Sequence, residues 1–383
     1  MVNVFIIAGE ESGDQLAAGL MATLRERLSD CVRFNGVGGT RMSAQGLTSL
    51  FPISETSIVG FGAVIARLPQ LMARVRQTAD AVVDAHPDVL VIVDSPDFTH
   101  AVAKRVRKRA PQIPIVDYVS PTVWAWRSGR ARRMSRYVDH VLAILPFEPA
   151  VHERLGGPPC TYVGHPLIEK LDVLRPRPGE RTELALGVRP LVLVLPGSRR
   201  SEVERLTAPF GEALERVARA RTAIDVVVPA VDHLADDVRR MTQTWRIKPE
   251  VVVGEEAKLS AFRRAHAALA ASGTVTLELA LAKIPMAVGY RIELPIDLVR
   301  MFIRTPSIVL PNLVLGENII PEFVNYEATP EALATALAPL LGATPGRARQ
   351  LAALDKLDRL MAVDTTPSRR AAEIVLRVAK IDA

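Results

Sequence analysis

Two carboxylates stand where a short apolar run of the chain ends. Asp94 directly follows the run Val89–Val93, which is typical of a buried strand, and Asp97 comes three residues later. One carboxylate can cap the next helix while the other accepts a proton from a substrate hydroxyl, and their proximity can raise one pKa towards neutrality. Asp97, beyond Pro96, is the first choice for the base, and Asp94 for capping or orienting its neighbour. From spacing alone, ordinary turn and capping roles for both are the commoner interpretation.

A second chemical signal comes from two turns that can bind an anion. Both follow apolar runs and offer backbone N–H groups and hydroxyls, and they are Gly197-Ser198-Arg199 and Ser272-Gly273-Thr274. Arg199 can neutralise the charge of a phosphate. Glu278 lies one helical turn beyond Thr274, where its carboxylate could accept hydrogen bonds from ribose hydroxyls. The pattern predicts a site for a nucleoside diphosphate, and two ordinary helix N-caps with an exposed Glu are the alternative.

The first turn of the chain is a weaker signal of the same kind. Residues 9–14 follow an apolar run, and glycine lets a ligand approach the backbone closely. A tight turn in which Ser12 or Asp14 caps the next helix explains the pattern equally well. His165 could position a phosphate or hydroxyl of a substrate, although a histidine held in a turn between two domains is the commoner interpretation.

The strands that must position these residues alternate with helices along most of the chain. The predicted strands are 4–8, 89–93, 115–119, 141–145, 191–195, 224–228, 251–253, 267–270 and 286–289. Buried strands that alternate with helices predict parallel α/β sheets. The series starts again after a Pro-rich stretch at 175–179. The sequence therefore predicts two doubly wound, Rossmann-like domains facing a cleft, in residues 1–170 and 180–345, followed by C-terminal helices in 346–383.

Composition narrows the class of protein. Of 383 residues, 49% are hydrophobic and 23% charged, which excludes intrinsic disorder and fibrous architectures. The formal net charge of +6 permits an anionic partner without identifying one. Two distant cysteines, Cys31 and Cys160, exclude a disulfide framework and a Cys-based metal site, so the chain is predicted to be cytosolic. Neither a signal peptide nor an uninterrupted apolar span is expected, and any membrane contact is predicted to be peripheral.

Two surface features bear on partners. Residues 58–75 are largely apolar with interleaved arginines, a pattern that fits an interfacial membrane helix or an acyl-chain site as well as a buried helix. Its apolar members include Ile65, Leu68, Leu71 and Met72. Basic residues cluster at 104–109 and 127–136, and such clusters are usually solvated faces that also suit anionic lipid or nucleic acid.

Several runs of residues match a known family in order, from the first strand to about Asn325. Besides those at Asp94, Gly197 and Ser272, they are Ala8-Gly9-Glu10-Glu11-Ser12-Gly13-Asp14, Gly36-Val37-Gly38-Gly39, Tyr118-Val119-Ser120-Pro121-Thr122-Val123-Trp124-Ala125-Trp126, Leu145-Pro146-Phe147-Glu148, Val163-Gly164-His165-Pro166 and Leu310-Pro311-Asn312. In these runs the chain resembles the lipid A disaccharide synthases, bacterial glycosyltransferases with the two-domain GT-B fold. The Trp-containing run is the most specific. The chain departs from the family pattern at Asn325, where Gln is usual, which leaves the role of that residue open.

The resemblance implies a reaction of lipopolysaccharide biosynthesis in Gram-negative bacteria. 2,3-Diacylglucosamine would pass from its UDP conjugate to the 6-hydroxyl of 2,3-diacylglucosamine 1-phosphate, with inversion, without a metal or other cofactor, and with release of UDP. Asp97 or Asp94 would be the base. UDP-sugar contacts are implied at Gly197, Ser198, Arg199, Ser272, Gly273, Thr274, Glu278 and Asn312. Acceptor contacts are implied at Ser12, Gly13, His165 and Glu322.

The resemblance also implies where the enzyme works. The apolar segment 58–75 would take acyl chains at the cytoplasmic face of the inner membrane, and the basic clusters would meet anionic headgroups or the acceptor phosphate. No nucleic acid partner is expected, and a homodimer stays open.

Two other functions stay open at this point. Another UDP-sugar enzyme of the same fold, such as a UDP-N-acetylglucosamine 2-epimerase, would not need the apolar, arginine-flanked segment. A non-enzymatic, basic RNA- or membrane-binding protein would explain the charge, but it would not explain two anion-binding turns followed by Glu278.

Overall fold

Short apolar runs form the strands of two separate parallel sheets. The computed structural model describes residues 1–56, 61–184, 188–220, 223–291 and 305–381, and for residues 30 and 61–67 the backbone alone. The chain divides into two compact units. The first unit is Met1–Pro166 together with Val363–Ala383, and the second unit is Leu167–Ala362.

Strands and helices alternate in both units. The strands are β1 (Val2–Ala8), β2 (Val32–Val37), β3 (Val89–Val93), β4 (Ile115–Tyr118), β5 (His140–Ala143), β6 (Cys160–Tyr162), β7 (Leu191–Leu195), β8 (Asp225–Ala230), β9 (Glu250–Val253), β10 (Ala267–Ala270), β11 (Met286–Tyr290) and β12 (Glu322–Val324). The helices are α1 (Glu11–Leu28), α2 (Thr40–Ala44), α3 (Phe61–Ala85), α4 (Pro96–Arg109), α5 (Gly129–Met134), α6 (Glu148–Leu155), α7 (Leu171–Leu174), α8 (Arg200–Ala220), α9 (Ala235–Thr242), α10 (Glu255–Arg264), α11 (Thr274–Leu281), α12 (Leu310–Leu315), α13 (Pro330–Leu337), α14 (Pro345–Met361) and α15 (Pro367–Ala379). Single turns of 3₁₀ helix lie at Ser29–Cys31, Ile53–Glu55, Pro166–Lys170, Asp232–Leu234, Asn325–Glu327 and Ala338–Leu341.

Each unit has one six-stranded parallel sheet. The strand order is β2-β1-β3-β4-β5-β6 in the first unit and β12-β11-β10-β7-β8-β9 in the second. The order reverses direction between β1 and β3 in the first sheet, and between β7 and β10 in the second. In doubly wound sheets ligands bind outside the carboxyl ends of the strands at such a reversal. The residues that follow β1, β3, β7 and β10 are therefore the ones placed for function.

Helices cover both faces of the first sheet. Ile6 on β1 belongs to the same apolar core as Leu20 of α1 and Val375 of α15. Ile7, the next residue, belongs to the core on the opposite face together with Phe98 of α4. Because successive side chains of a strand point to opposite faces, a strand buried on both faces has to be apolar throughout.

The core of the second unit is built largely on α8 and α13. Val192 and Val194 of β7 belong to one apolar cluster with Phe210 of α8 and Leu333 of α13. Because α8 begins directly after the turn Gly197-Ser198-Arg199, this packing fixes the turn at the end of β7.

The unit boundaries differ from those expected from composition. The Pro-rich stretch 175–179 lies inside the second unit, where Arg175 Nε donates a hydrogen bond to the carbonyl of Leu281 at 3.0 Å. Proline disfavours regular structure, so a Pro-rich stretch indicates a loop and need not be a domain border. The terminal region predicted as one group of helices is also divided, because α14 belongs to the second unit and α15 to the first. Arg27 of α1 and Glu373 of α15 form an ion pair within the first unit.

Candidate functional site

The ends of β1 and β3 are joined at the reversal of the first sheet. Ser12, in the first turn of α1, donates a hydrogen bond from Oγ to Oδ2 of Asp94 at 3.0 Å. The backbone N–H of Ser95 donates to Oδ1 of the same carboxylate at 2.8 Å. Asp94 and Ser95 both have left-handed backbone conformations, with φ of 53° and 44°. Such strained conformations persist only where the surroundings hold them, and they concentrate at functional sites.

The helix α1 comes very close to the sheet at this point. A Cβ on Gly13 would lie 3.1 Å from the carbonyl oxygen of Val93. Asp14 is buried, and its carboxylate accepts backbone hydrogen bonds from Gly39 at 2.7 Å and from Met42 at 3.1 Å. Asp14 therefore caps α2. The interpretation of Ser12 or Asp14 as the N-cap of its own helix is wrong, because α1 begins after Glu10 and has no side-chain cap.

The second candidate base, Asp97, has a different environment. It lies in the first turn of α4, and its side chain is 81% exposed. Arg130 Nη2 contacts Oδ1 of Asp97 at 3.0 Å. The first unit therefore presents one aspartate held by a hydroxyl and an amide at the strand end, and one exposed aspartate facing a guanidinium.

A buried polar network, for which the sequence predicts no role, supports the Trp-containing run. Glu148, at the start of α6, accepts from the backbone N–H of Leu145 at 3.0 Å and from Nε1 of Trp124 at 3.3 Å. Burial raises the pKa of Glu148 to about 8. Ser120 Oγ lies 2.8 Å from Nε2 of His152, whose pKa burial lowers. Trp126, at the end of the run, remains 43% exposed.

His165 lies just before Pro166, where the N-terminal part of the first unit ends. It is buried, and burial lowers its pKa to about 4. An imidazole with this pKa is neutral at physiological pH, so its contribution to binding would come from hydrogen bonds rather than charge. Contact between His165 and the acceptor substrate stays a prediction.

In the second unit, the turn after β7 already holds a carboxylate of the chain. Oε2 of Glu202 accepts hydrogen bonds from the backbone N–H of Ser198 at 3.1 Å and from that of Arg199 at 3.3 Å. Nη1 of Arg199 donates to Oε1 of Glu202 at 3.0 Å. Glu202 is not among the site residues predicted from sequence. Its spacing could have indicated it. In a capping box, Glu stands three residues after the residue that precedes the helix, as Glu202 does after Arg199.

The turn after β10 faces outward. Gly273 has a φ of 150°, and no atom lies within 4 Å of the position that its Cβ would take. Ser272 Oγ donates to the carbonyl of Ile308 at 2.6 Å, and Thr274 is exposed. No side chain in the described part of the chain caps α11, which begins at Thr274. One turn further along α11, Oε2 of Glu278 forms an ion pair of 2.6 Å with Nζ of Lys258.

Asn312 and Glu322 hold in place the chain segment that contacts this turn. The buried amide of Asn312 accepts from the backbone N–H of Ile320 and donates to the carbonyl of Ile320, both at 2.9 Å. Oε2 of Glu322 accepts from Ser307 Oγ at 2.8 Å and from the N–H of Ile308 at 3.0 Å. Both side chains therefore bind the chain itself here, and direct ligand contact by either stays a prediction.

The apolar helix α3 is only partly buried. Leu68 is 49% exposed, Leu71 and Met72 are half-buried, and Val75 is buried in the core. Ile65 lies outside the described side chains. In the described ranges, no helix combines the length and the apolar character needed to cross a bilayer.

The two strand-end sites suit different chemistry. The first unit offers carboxylates that can accept a proton, and the second offers an uncapped helix N-terminus, an arginine and a carboxylate, which suit an anion bearing hydroxyls. Among the residues described, no group of three or more His, Cys, Asp or Glu could hold a metal ion.

Sequence relatives identify the family. A family model described as Lipid-A-disaccharide synthetase matches residues 4–375. The lipid-A-disaccharide synthase of Nitrobacter hamburgensis is 56% identical over 377 residues, which cover 97% of this chain and 94% of that protein. The same enzyme of Rhodopseudomonas palustris strain CGA009 is 55% identical over 377 residues, covering 98% and 96%.

Solved structures share the fold at low sequence identity. The crystal structure of Acinetobacter baumannii MurG aligns with a TM-score of 0.58 at 12% identity, over 98% of this chain and 100% of that chain. The S. aureus MnaA–UDP co-structure aligns with a TM-score of 0.58 at 13% identity, over 98% and 95%. The predicted fold class, of the GT-B type, is confirmed. Because the family match spans nearly all of these two sheets, the chain belongs to the lipid-A-disaccharide synthase family of glycosyltransferases.

Proposed function

We propose that this glycosyltransferase moves 2,3-diacylglucosamine from its UDP conjugate to the 6-hydroxyl of 2,3-diacylglucosamine 1-phosphate. The products are UDP and the β-1,6-linked disaccharide 1-phosphate. Family membership supports the reaction. The assignment of a UDP-linked donor rests on the pair of turns after β7 and β10, which flank the strand reversal of the second sheet.

The second unit would bind the UDP part of the donor. The guanidinium of Arg199 is largely exposed, so it can pair with the diphosphate. The uncapped start of α11 at Thr274 would donate backbone hydrogen bonds to the same anion. Glu278 would accept hydrogen bonds from the ribose hydroxyls, with Lys258 keeping its carboxylate in place.

The first unit would bind the acceptor and supply the base. Inversion requires the acceptor hydroxyl to attack in line with the departing UDP, so one base and one stabilised leaving group suffice. Asp97 is exposed and can reach a substrate hydroxyl, while Asp94, held by Ser12 and Ser95, would orient the strand end. The hydroxyl of Ser12 and the close approach at Gly13 would shape the acceptor site together with His165.

We further propose that the enzyme works at the cytoplasmic face of the inner membrane. Leu68 leaves apolar surface exposed on α3, where acyl chains could bind. On α4 and α5, Lys104, Arg130 and Arg133 are crowded together. Burial and the two guanidinium charges lower the pKa of Lys104. Crowded cations attract anions, and lipid headgroups or the acceptor phosphate would supply them.

A two-substrate assay tests the proposed function. The purified enzyme is incubated with UDP-2,3-diacylglucosamine and 2,3-diacylglucosamine 1-phosphate, and UDP release is compared with disaccharide formed, whose anomeric configuration is read by NMR. Equal amounts of UDP and β-linked disaccharide are expected. Release of UDP without acceptor, or conversion of UDP-N-acetylglucosamine to an epimer, would overturn the proposal in favour of a hydrolase or an epimerase.

A further inference from the structure

The carboxylate of Glu202 has four donors around it. The backbone N–H groups of Ser198 and Arg199 donate to Oε2, while Nη1 of Arg199 at 3.0 Å and the hydroxyl of Tyr290 at 3.3 Å donate to Oε1. The Glu202 side chain is 10% exposed, whereas that of Arg199 is 67% exposed. The carboxylate is therefore an internal anion, and the guanidinium is held between it and solvent.

This arrangement is more than a helix cap. A capping box accounts for the contact of Glu202 with the N–H of Arg199, since α8 begins at Arg200. It does not account for the contacts that the Arg199 guanidinium and the Tyr290 hydroxyl make with Glu202. The hydroxyl reaches this carboxylate from the end of β11. Burial, followed by the charge of Glu202, raises the pKa of Tyr290, so the hydroxyl keeps its proton and remains a donor.

Gly197 makes room for the carboxylate. Its φ is 120°, and a Cβ at this position would lie 2.4 Å from Oε2 of Glu202. Any larger residue would drive the carboxylate from the turn. Because the amides of Ser198 and Arg199 point at Glu202, they are not directed outward at a ligand, in contrast to the expectation from sequence that this turn cradles a phosphate with its backbone.

We propose that Glu202 is a positioning residue of the nucleotide site, acting through Arg199. The inference rests on the proposed function. Glu202 fixes the turn and holds one edge of the Arg199 guanidinium, so the remaining N–H groups of that planar fork are presented to the diphosphate. The diphosphate is then bound by the side chain of Arg199 and by the turn Ser272-Gly273-Thr274, and not by the amides of 198 and 199. Tyr290 secures Glu202 from the end of β11, which β10 separates from β7.

A double-mutant cycle with UDP titrations tests this inference. Glu202→Gln keeps the shape and removes the charge that holds Arg199, so UDP should bind about tenfold more weakly, which corresponds to about 1.4 kcal/mol. Arg199→Ala should weaken binding at least as much. The double variant should bind UDP no more weakly than Arg199→Ala alone, because Glu202 acts through the guanidinium. Glu204→Gln, which removes an exposed charge from the same helix, is the matched control and should leave UDP affinity unchanged.

The outcomes separate this inference from the proposed function. If Glu202→Gln weakens UDP binding equally with and without Arg199, its effect is structural and the inference is overturned. Wild-type affinity in Glu202→Gln overturns it as well. If the wild-type enzyme does not bind UDP, the proposed nucleotide site itself fails. Should Glu202→Gln not fold, Tyr290→Phe takes its place in the cycle, with a loss of two- to threefold expected only when Arg199 is present; the same loss without Arg199, or no loss, counts against the proposal.

Discussion

The hydroxyl of Ser12 donates a 3.0 Å hydrogen bond to the carboxylate of Asp94, and so joins the first turn of α1 to the end of β3. With Ser95 on the other oxygen, Asp94 has both oxygens occupied by the chain, whereas the described partner of Asp97 is the guanidinium of Arg130. The two carboxylates, three residues apart, are therefore expected to have different roles in the reaction.

Asp97→Asn keeps the shape of the side chain but cannot accept the proton of the acceptor hydroxyl. We expect kcat to fall by roughly 10² to 10⁴, with UDP affinity nearly unchanged because the nucleotide contacts are assigned to the second unit. Steady-state kinetics and a UDP titration on the same sample check this. If Asp97→Asn keeps near-normal turnover and a folded Asp94→Asn loses it, the two roles are reversed; if both variants stay active, this pair does not provide the base.

Glu278→Ala should weaken UDP binding. The ribose hydroxyls would lose a charged acceptor, which contributes roughly 1.5 to 3 kcal/mol. Calorimetry with UDP measures the loss, and Glu256→Ala, which removes an exposed carboxylate from α10, is the control. Unchanged affinity in folded Glu278→Ala would remove this residue from the nucleotide site and leave it as the partner of Lys258 only.

Leu68→Ser should release the protein from membranes without unfolding it. Leu68 is 49% exposed, so it gives little to the core, whereas inserting it into lipid would contribute roughly 1.5 to 3 kcal/mol. Binding to vesicles that contain anionic lipid should fall at least about tenfold in co-sedimentation. Val75→Ala, on the buried side of α3, should instead lower the free energy of unfolding by roughly 2 kcal/mol. Equal vesicle binding by wild type and Leu68→Ser contradicts the membrane role.

Glu148 should make stability fall as the pH rises. Its ordinary pKa of 4.5 becomes about 8 in the folded protein, so between these values the folded state keeps a proton that the unfolded state loses. The stabilising contribution is complete below pH 4.5 and is lost as the pH passes 8. Glu148→Gln imitates the protonated form, so its stability relative to wild type should grow with pH, by an amount on the order of 3 to 5 kcal/mol at pH 9.

Denaturant titrations of wild type and Glu148→Gln between pH 5 and 9 measure this difference. Glu153→Gln, an exposed change on the same helix α6, should show no such trend. A constant difference between wild type and Glu148→Gln over the whole range would mean that the carboxyl group is ionised in the folded protein.

The central strands of both sheets are predictable from sequence, and three edge strands are not. Val89–Val93 is buried at every position and reads as one continuous apolar run. The sequence pattern does not predict β2, β6 or β12, and each of these strands lies at an edge of its sheet. Edge strands are covered less by neighbouring elements, so they carry polar residues; Glu322–Val324, for example, is half-buried throughout.

The positions of the strand-end turns are likewise predictable, but the partners of their side chains are not. The rule that sites lie after parallel strands leads directly to Asp94, Gly197 and Ser272. It does not reveal that Ser12 bonds to Asp94 across 82 residues, or that Tyr290 reaches Glu202 across 88. Such contacts depend on which strands become neighbours, and local spacing contains no information about that.

Helix α15 has a consequence for how the protein is made. Its Ala371, Ala372, Ile374, Val375 and Leu376 supply part of the core against which β1 and α1 pack, although the rest of the first unit ends at Pro166. A ribosome that has finished Pro166 must still add 379 − 166 = 213 residues before α15 is complete. At about 5 to 20 residues per second, this takes roughly 10 to 40 s. During that time one face of the first sheet lacks part of its cover and exposes apolar surface, while the second unit, finished at Ala362, can fold first.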